Sequence, residues 1–178
     1  MVSQIHVLSL LTTLLPFLLL LSKPCKILAT ENIIAKTCHL TQFPQDCVSN
    51  LESDPRSSGA DLTGLSRIAL ELSTTKVNNN ATELFNFLQN ATDYPTWSFF
   101  QTCFLYYNTS VYQITPESIV AFDEKKYDKT YQILDATNKA IVDCKNLGHT
   151  VGNLRVNDIN TMNYRFINDT MTILHQLF

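Results

Sequence analysis

Glycine is almost missing from this chain, with four in 178 residues. Gly59, Gly64, Gly148 and Gly152 form no phosphate-cradling loop and no Gly-x-Ser-x-Gly turn to present a nucleophile. His-Glu-x-x-His is absent too. His39, His149 and His175 lie too far apart for metal-ligand spacing and read as surface or capping residues. Basic residues are few: 13 Lys and Arg face 16 Asp and Glu, and no basic run with interleaved aromatics occurs. The electrostatic footprint of a nucleic-acid-binding face is therefore missing. Acidic pairs such as Asp123 with Glu124, and Asp128 with Asp135, lack the cleft that glycoside hydrolysis needs and read as solvated helix faces. No catalytic residue, metal ligand or cofactor site is assigned.

What is present begins with an apolar run from Val7 to Leu21, followed by Ser22, Lys23 and then Ala29 and Thr30. This pattern predicts a secretory signal peptide over residues 1–29, cleaved from a single domain over residues 30–178. A membrane anchor is the competing reading, because the amino-terminal region carries only His6 and the apolar run is slightly long. Cleavage would remove Lys23 and Lys26, leaving 11 basic against 16 acidic side chains, a net charge of −5. It would also remove Cys25, so that four of five cysteines remain and three disulfide connectivities stay open. Sequons at Asn80, Asn90, Asn108 and Asn168 are possible N-glycosylation sites that fit secretion, although a chain this rich in Asn, Ser and Thr produces several by chance.

The remaining apolar residues recur at helical spacing, which predicts an all-α domain. Asp61 is placed to cap a helix whose face carries Leu62, Leu65, Ile68, Ala69 and Leu72, resuming at Ala81, Leu84 and Leu88. Asn78, Asn79 and Asn80 predict a bend or fray within it. Trp97, Phe100, Phe104, Tyr107 and Val111 mark an aromatic core stripe between Pro95 and Ile114. Thr115-Pro116-Glu117 predicts the start of a third helix, interrupted by the charged stretch Asp123 to Lys129 and ending at Leu147 and Gly148. Lys145 to Val156 is the expected loop, and a last helix over 157–177 would bury Ile159, Met162, Phe166, Ile173 and Leu177. Four amphipathic helices with short connections make a four-helix bundle. Ahead of it, Pro44 suits a first helical position, and Val48 and Leu51 give that short helix an apolar edge. The segment from Cys38 to Cys47 thus reads as a stapled helical hairpin.

Cys-x2-Thr-x2-Pro-x2-Cys over residues 38–47, then Leu51-Glu52-Ser53-Asp54-Pro55-Arg56-Ser57 and Asp61-Leu62-x-Gly64-Leu65, resembles the plant invertase and pectin methylesterase inhibitor family. The resemblance runs from about Ile33 to the carboxyl terminus. It implies disulfides Cys38–Cys47 and Cys103–Cys144, to which loop entropy assigns about 2.7 and about 4 kcal/mol. It implies a secreted protein that binds and blocks a pectin methylesterase or an invertase, in the cell wall or, for a vacuolar invertase, the vacuole. Neither nucleic acid nor, after signal cleavage, a membrane is an expected partner.

The most unusual surface segment is Phe122 to Tyr131, and its Lys125, Lys126, Tyr127, Asp128 and Lys129 are the candidate target-binding residues. Tyrosine gives contact area at low entropy cost, which makes Tyr127 the candidate anchor. Invertase inhibitors of the family carry Pro-Lys-Phe seventeen residues before the fourth family cysteine, a segment that enters the enzyme's active site. Here those positions hold Tyr127-Asp128-Lys129. A tyrosine at the first of them looks more like the pectin methylesterase inhibitors and related pollen proteins. The expectation is therefore a pectin methylesterase inhibitor, with an invertase inhibitor and a non-inhibitory bundle as alternatives.

Overall fold

A computed structural model describes residues 32–178 apart from 114–116 and 152–153. The leader, Cys25 and the expected Thr115-Pro116 helix start lie outside the described residues. Among the described residues every regular element is helical, and no helix is long and apolar enough to cross a membrane.

Short helices α1 (Ile33–Cys38) and α2 (Pro44–Glu52) form the hairpin. Asn32 caps α1 by accepting the Ile34 and Ala35 N–H groups, and Pro44 opens α2 where its missing N–H costs nothing. A 3₁₀ turn over Pro55–Gly59 follows, capped by Asp54. The long helix α3 (Leu62–Gln89) starts where Asp61 accepts the Gly64 N–H at 2.8 Å. A Cβ at Gly64 would stand 2.9 Å from the Ala60 Cβ, so any other residue here would force the Ala60 segment to shift. The helix does not fray at Asn78 to Asn80, and α3 runs on for 28 residues. Val77 and Ala81 are buried on either side of the asparagines, and their burial outweighs a propensity cost of about 0.5 kcal/mol per asparagine.

Helix α4 (Tyr94–Gln113) buries Phe99, Phe100, Cys103 and Tyr107. The stripe is therefore rotated from the one expected: Phe104 and Val111 are only partly buried, and Trp97 is 39% exposed. The third helix is split into α5 (Ile119–Asp123) and α6 (Tyr127–Val151). Because α6 reaches Val151 and α7 (Leu154–His175) begins three residues later, most of the loop expected over Lys145 to Val156 is helical. Met162, expected in the core, is 63% exposed, while Val156, Ile159, Phe166, Ile167, Ile173 and Leu174 form the buried face of α7.

Each of α3, α4, α6 and α7 packs on two others, α3 against α4 and α7, and α6 against the same two, which closes a four-helix bundle. Its core joins Leu84, Phe100, Tyr107, Leu134, Ile141 and Ile167. A second apolar cluster, including Ile34, Leu51, Leu65, Ile68 and Ile173, fastens the hairpin to α3 and α7. At the centre, the buried Tyr107 hydroxyl donates to Asn160 Oδ1 at 2.6 Å and accepts from Asn163 Nδ2 at 2.9 Å. That network supplies the partners without which a buried polar group costs about 1–3 kcal/mol.

Candidate target-binding surface

The candidate residues sit where the chain turns from α5 into α6. Lys125 adopts φ 58°, the left-handed conformation, and is the one described non-glycine residue to do so. Its N–H donates to Phe122 O, and the Lys126 N–H donates to Ala121 O, both at 2.8 Å. These are the paired bonds of a Schellman cap, a motif that ordinarily ends in glycine. The Lys126 carbonyl then accepts the Thr130 N–H at 3.1 Å and starts α6. The charged stretch therefore ends one helix and begins the next within three residues.

Lys125, Lys126, Asp128 and Lys129 are all exposed on this turn. Lys126 Nζ lies 2.7 Å from Glu124 Oε2, and that bond, with the ammonium charge, lowers the Glu124 carboxyl below its ordinary value. Asp128 stands in the first turn of α6, where a negative charge suits the helix dipole. Tyr127 is only half free: its ring packs 5.3 Å from Phe122 and against the bundle core. It can present an edge outward while its other side fixes the turn.

An ion-pair chain holds the turn to the rest of the domain. Arg67 on α3 makes a two-pronged contact with Asp123 at 2.9 and 3.2 Å and reaches Glu71 at 2.6 Å. Glu71 also accepts from Arg56 at 2.7 Å, and Arg56 grips Asp54 at 2.6 Å. The Asp54-Pro55-Arg56 segment thus caps the 3₁₀ turn and anchors α3 at once. Sequence reading missed this chain, although Arg67 and Glu71 four residues apart were a visible helical pair. It also missed a groove of about 550 Å3 among α2, α3 and α7, where Lys76, Arg155 and Arg165 alternate with Asp46 and Asp158 around Met162.

The other candidate residues are not part of the turn. Cys38 and Cys47 are joined across the hairpin, and Cys103 and Cys144 join α4 to α6 inside the bundle. Asn80, Asn108 and Asn168 lie within helices, and Asn90 ends α3. His39 and His175 are exposed and far from any ligand set, and the His149 side chain lies outside the described residues. No group of three or more His, Cys, Asp or Glu that could hold a metal is found among the described residues.

The left-handed Lys125 yields a direct expectation. Lys125→Gly should raise stability by about 0.5–1 kcal/mol, read from the urea midpoint at unchanged slope, because glycine adopts this conformation without strain. An unchanged or lowered midpoint would show that the lysine side chain makes contacts that offset its backbone cost.

Two disulfides and a closed four-helix bundle carry the exposed charged turn between α5 and α6. The chain belongs to the plant invertase/pectin methylesterase inhibitor family, whose family model matches residues 32–173. It is 29% identical over 83 residues to a pectinesterase inhibitor of Actinidia deliciosa, covering 47% of this chain and 45% of that protein. It is 42% identical over 59 residues to cell wall / vacuolar inhibitor of fructosidase 2 of Arabidopsis thaliana, covering 33% and 31%. The chain spans less than half the length of the curated relatives it matches. Its fold resembles the crystal structure of mutant form A of a pectin methylesterase inhibitor from Arabidopsis, with TM-score 0.68, 14% identity, and coverage of 80% of this chain and 95% of that one. A second structure, of a pectin methylesterase inhibitor from Arabidopsis thaliana, gives TM-score 0.60 at 14% identity, covering 84% and 98%.

Proposed function

We propose that this protein is a secreted inhibitor of a plant pectin methylesterase, binding across the enzyme's substrate cleft and itself turning over neither pectin nor sucrose. The observation that carries this reading is the α5–α6 turn. It exposes Lys125, Lys126, Asp128 and Lys129 around a half-buried Tyr127, and Tyr127-Asp128-Lys129 stand at the positions where invertase-directed relatives carry Pro-Lys-Phe. The left-handed cap at Lys125 and the Arg67–Asp123 ion pair hold that turn before a partner arrives, which reduces the ordering cost of binding. The leader would direct it to the cell wall.

Invertase inhibition is the second reading, and the 42% identity to the Arabidopsis fructosidase inhibitor favours it. A non-inhibitory secreted bundle is the third, since family membership does not fix function. The oxidised chain lacking its leader should be titrated against purified pectin methylesterase and purified invertase at mildly acidic pH. Loss of esterase activity with invertase intact is expected, and the reverse pattern would overturn the choice of target. Lys129→Glu should weaken the productive complex about tenfold, because a reversed rim charge costs on the order of 1.4 kcal/mol. Failure to inhibit or retain either enzyme would support the third reading.

A further inference from the structure

Three of the four sequons are poorly placed to carry a sugar in the folded chain. Asn80 lies within α3, and Asn108 within α4 ahead of a buried Ser110 whose hydroxyl donates to Tyr106 O at 3.0 Å. Asn168 lies within α7, donates its amide to Tyr164 O at 2.9 Å, and is followed by fully buried Asp169 and a Thr170 only 1% exposed. A bulky solvated group belongs on a surface loop. Asn90 meets that condition: it is exposed, its backbone has left helical geometry at the end of α3, and Ala91 and Thr92 continue outside any helix. Its amide donates to Asn86 O at 2.7 Å, a bond the single N–H of a glycosylated amide can keep.

The segment just after this sequon carries an unexplained apolar surface. Tyr94 and Trp97, at the start of α4, are 76% and 39% exposed, and their rings stack 6.0 Å apart at 25°. Asp93 fixes them by capping α4 through the Thr96 N–H at 2.9 Å. The stacked pair offers an aromatic face that a ligand can cover, and Asp93 beside it disfavours an anionic one. The C–H face of a neutral pyranose is complementary to an aromatic face. Tyr94 is four positions after Asn90, at most about 14 Å of chain, within reach of a core oligosaccharide.

We propose that Asn90 is the N-glycosylated residue of this protein, and that the first sugars of its glycan lie on the Tyr94–Trp97 pair. In the transfer, the Asn90 amide nitrogen forms a bond to the anomeric carbon of an oligosaccharide carried on a polyprenyl diphosphate. The bond from that carbon to the diphosphate oxygen breaks, and the amide proton leaves with the lipid diphosphate. The glycan shields an aromatic surface that would otherwise be open to water, and this holds whichever enzyme the protein inhibits.

The test is to express the full chain with its own leader in plant cells, recover the secreted protein and map its glycopeptides. Glycan on the Asn90 peptide and none on the Asn168 peptide is expected, with Asn90→Gln and Thr92→Ala each losing that glycan. Trp97 is the one tryptophan of the chain and reports on the surface directly. Enzymatic removal of the glycan should red-shift its emission and raise its quenching by acrylamide, while urea unfolding confirms that the fold is retained. A secreted chain with bare Asn90 overturns the site, and Trp97 quenching unchanged by deglycosylation overturns the stacking.

Discussion

Replacing Cys103 and Cys144 together by alanine should destabilise the domain by about 4 kcal/mol, the largest loss expected from any simple change to this protein. The two cysteines are 41 residues apart in sequence and fully buried, and their bond ties α4 to α6 across the intervening turn. Reduction frees the unfolded chain to explore everything that closure forbids. Buried neighbours add to the loss, because Asn160 Nδ2 donates to Cys144 Sγ at 3.1 Å and would lose that acceptor. Cys38 and Cys47 are nine residues apart, so Cys38→Ala with Cys47→Ala should cost less, about 2.7 kcal/mol. The hairpin would still be held through Ile34, Leu51 and Ile173. Urea unfolding of the two double variants beside the oxidised parent gives the ranking. A greater loss from the short bridge would mean that the hairpin, rather than the bundle, limits stability.

The bundle was legible because its signals are local and repeated. Asp61 capping α3, Pro44 opening α2 and apolar residues every three or four positions each act within one turn of helix, and the structure shows them doing so. The errors arose where a distant contact overrode a local preference. Three asparagines weaken a helix by themselves, but Val77 and Ala81 commit α3 to the core on both sides of them. Trp97 fitted the aromatic stripe by spacing, yet the bridged Cys103 turns the Phe99, Phe100 and Tyr107 side of α4 inward and leaves Trp97 at the edge. Met162 likewise fell on a helical repeat whose outward face only the packing reveals. For the candidate surface, sequence located the charged break at Lys125 to Lys129 but not its left-handed cap, nor Arg67 reaching Asp123 from 56 residues away. Contacts between elements leave no periodic trace in the chain.

Asp169 should make the domain more stable in mild acid than at neutral pH, and Asp169→Asn should abolish that difference. The side chain is fully buried on α7, where Oδ1 accepts the Phe43 N–H at 3.0 Å and the Thr41 hydroxyl, itself donating to Cys38 O at 2.8 Å, stands near the carboxyl. Burial raises its carboxyl from 3.8 to about 6, and Asp46 on α2 adds like-charge repulsion. The Phe43 N–H, the Thr41 hydroxyl and the Arg165 guanidinium oppose the rise. Arg165 is itself paired with Asp46 at 3.2 Å and placed 5.1 Å from the Phe43 ring, and Lys76 on α3 interacts with the same Asp46. Between pH 4 and 6 the folded chain thus holds a proton that the unfolded chain has released, so stability falls as pH rises through that window and is level above it. The expected loss is about 2–3 kcal/mol, since each pKa unit is worth about 1.4 kcal/mol. Asparagine keeps an oxygen for the Phe43 N–H but leaves its own amide unpartnered, so the variant should lose about 1 kcal/mol at pH 4.5 and exceed the parent at pH 7. Urea unfolding of both proteins at the two pH values measures the crossing, with every other carboxylate common to both. Parallel pH profiles would show that Asp169 stays in one protonation state throughout. In acid, then, the seam between the hairpin and α7 no longer holds a buried charge at Asp169, and that is the share of stability the asparagine variant isolates.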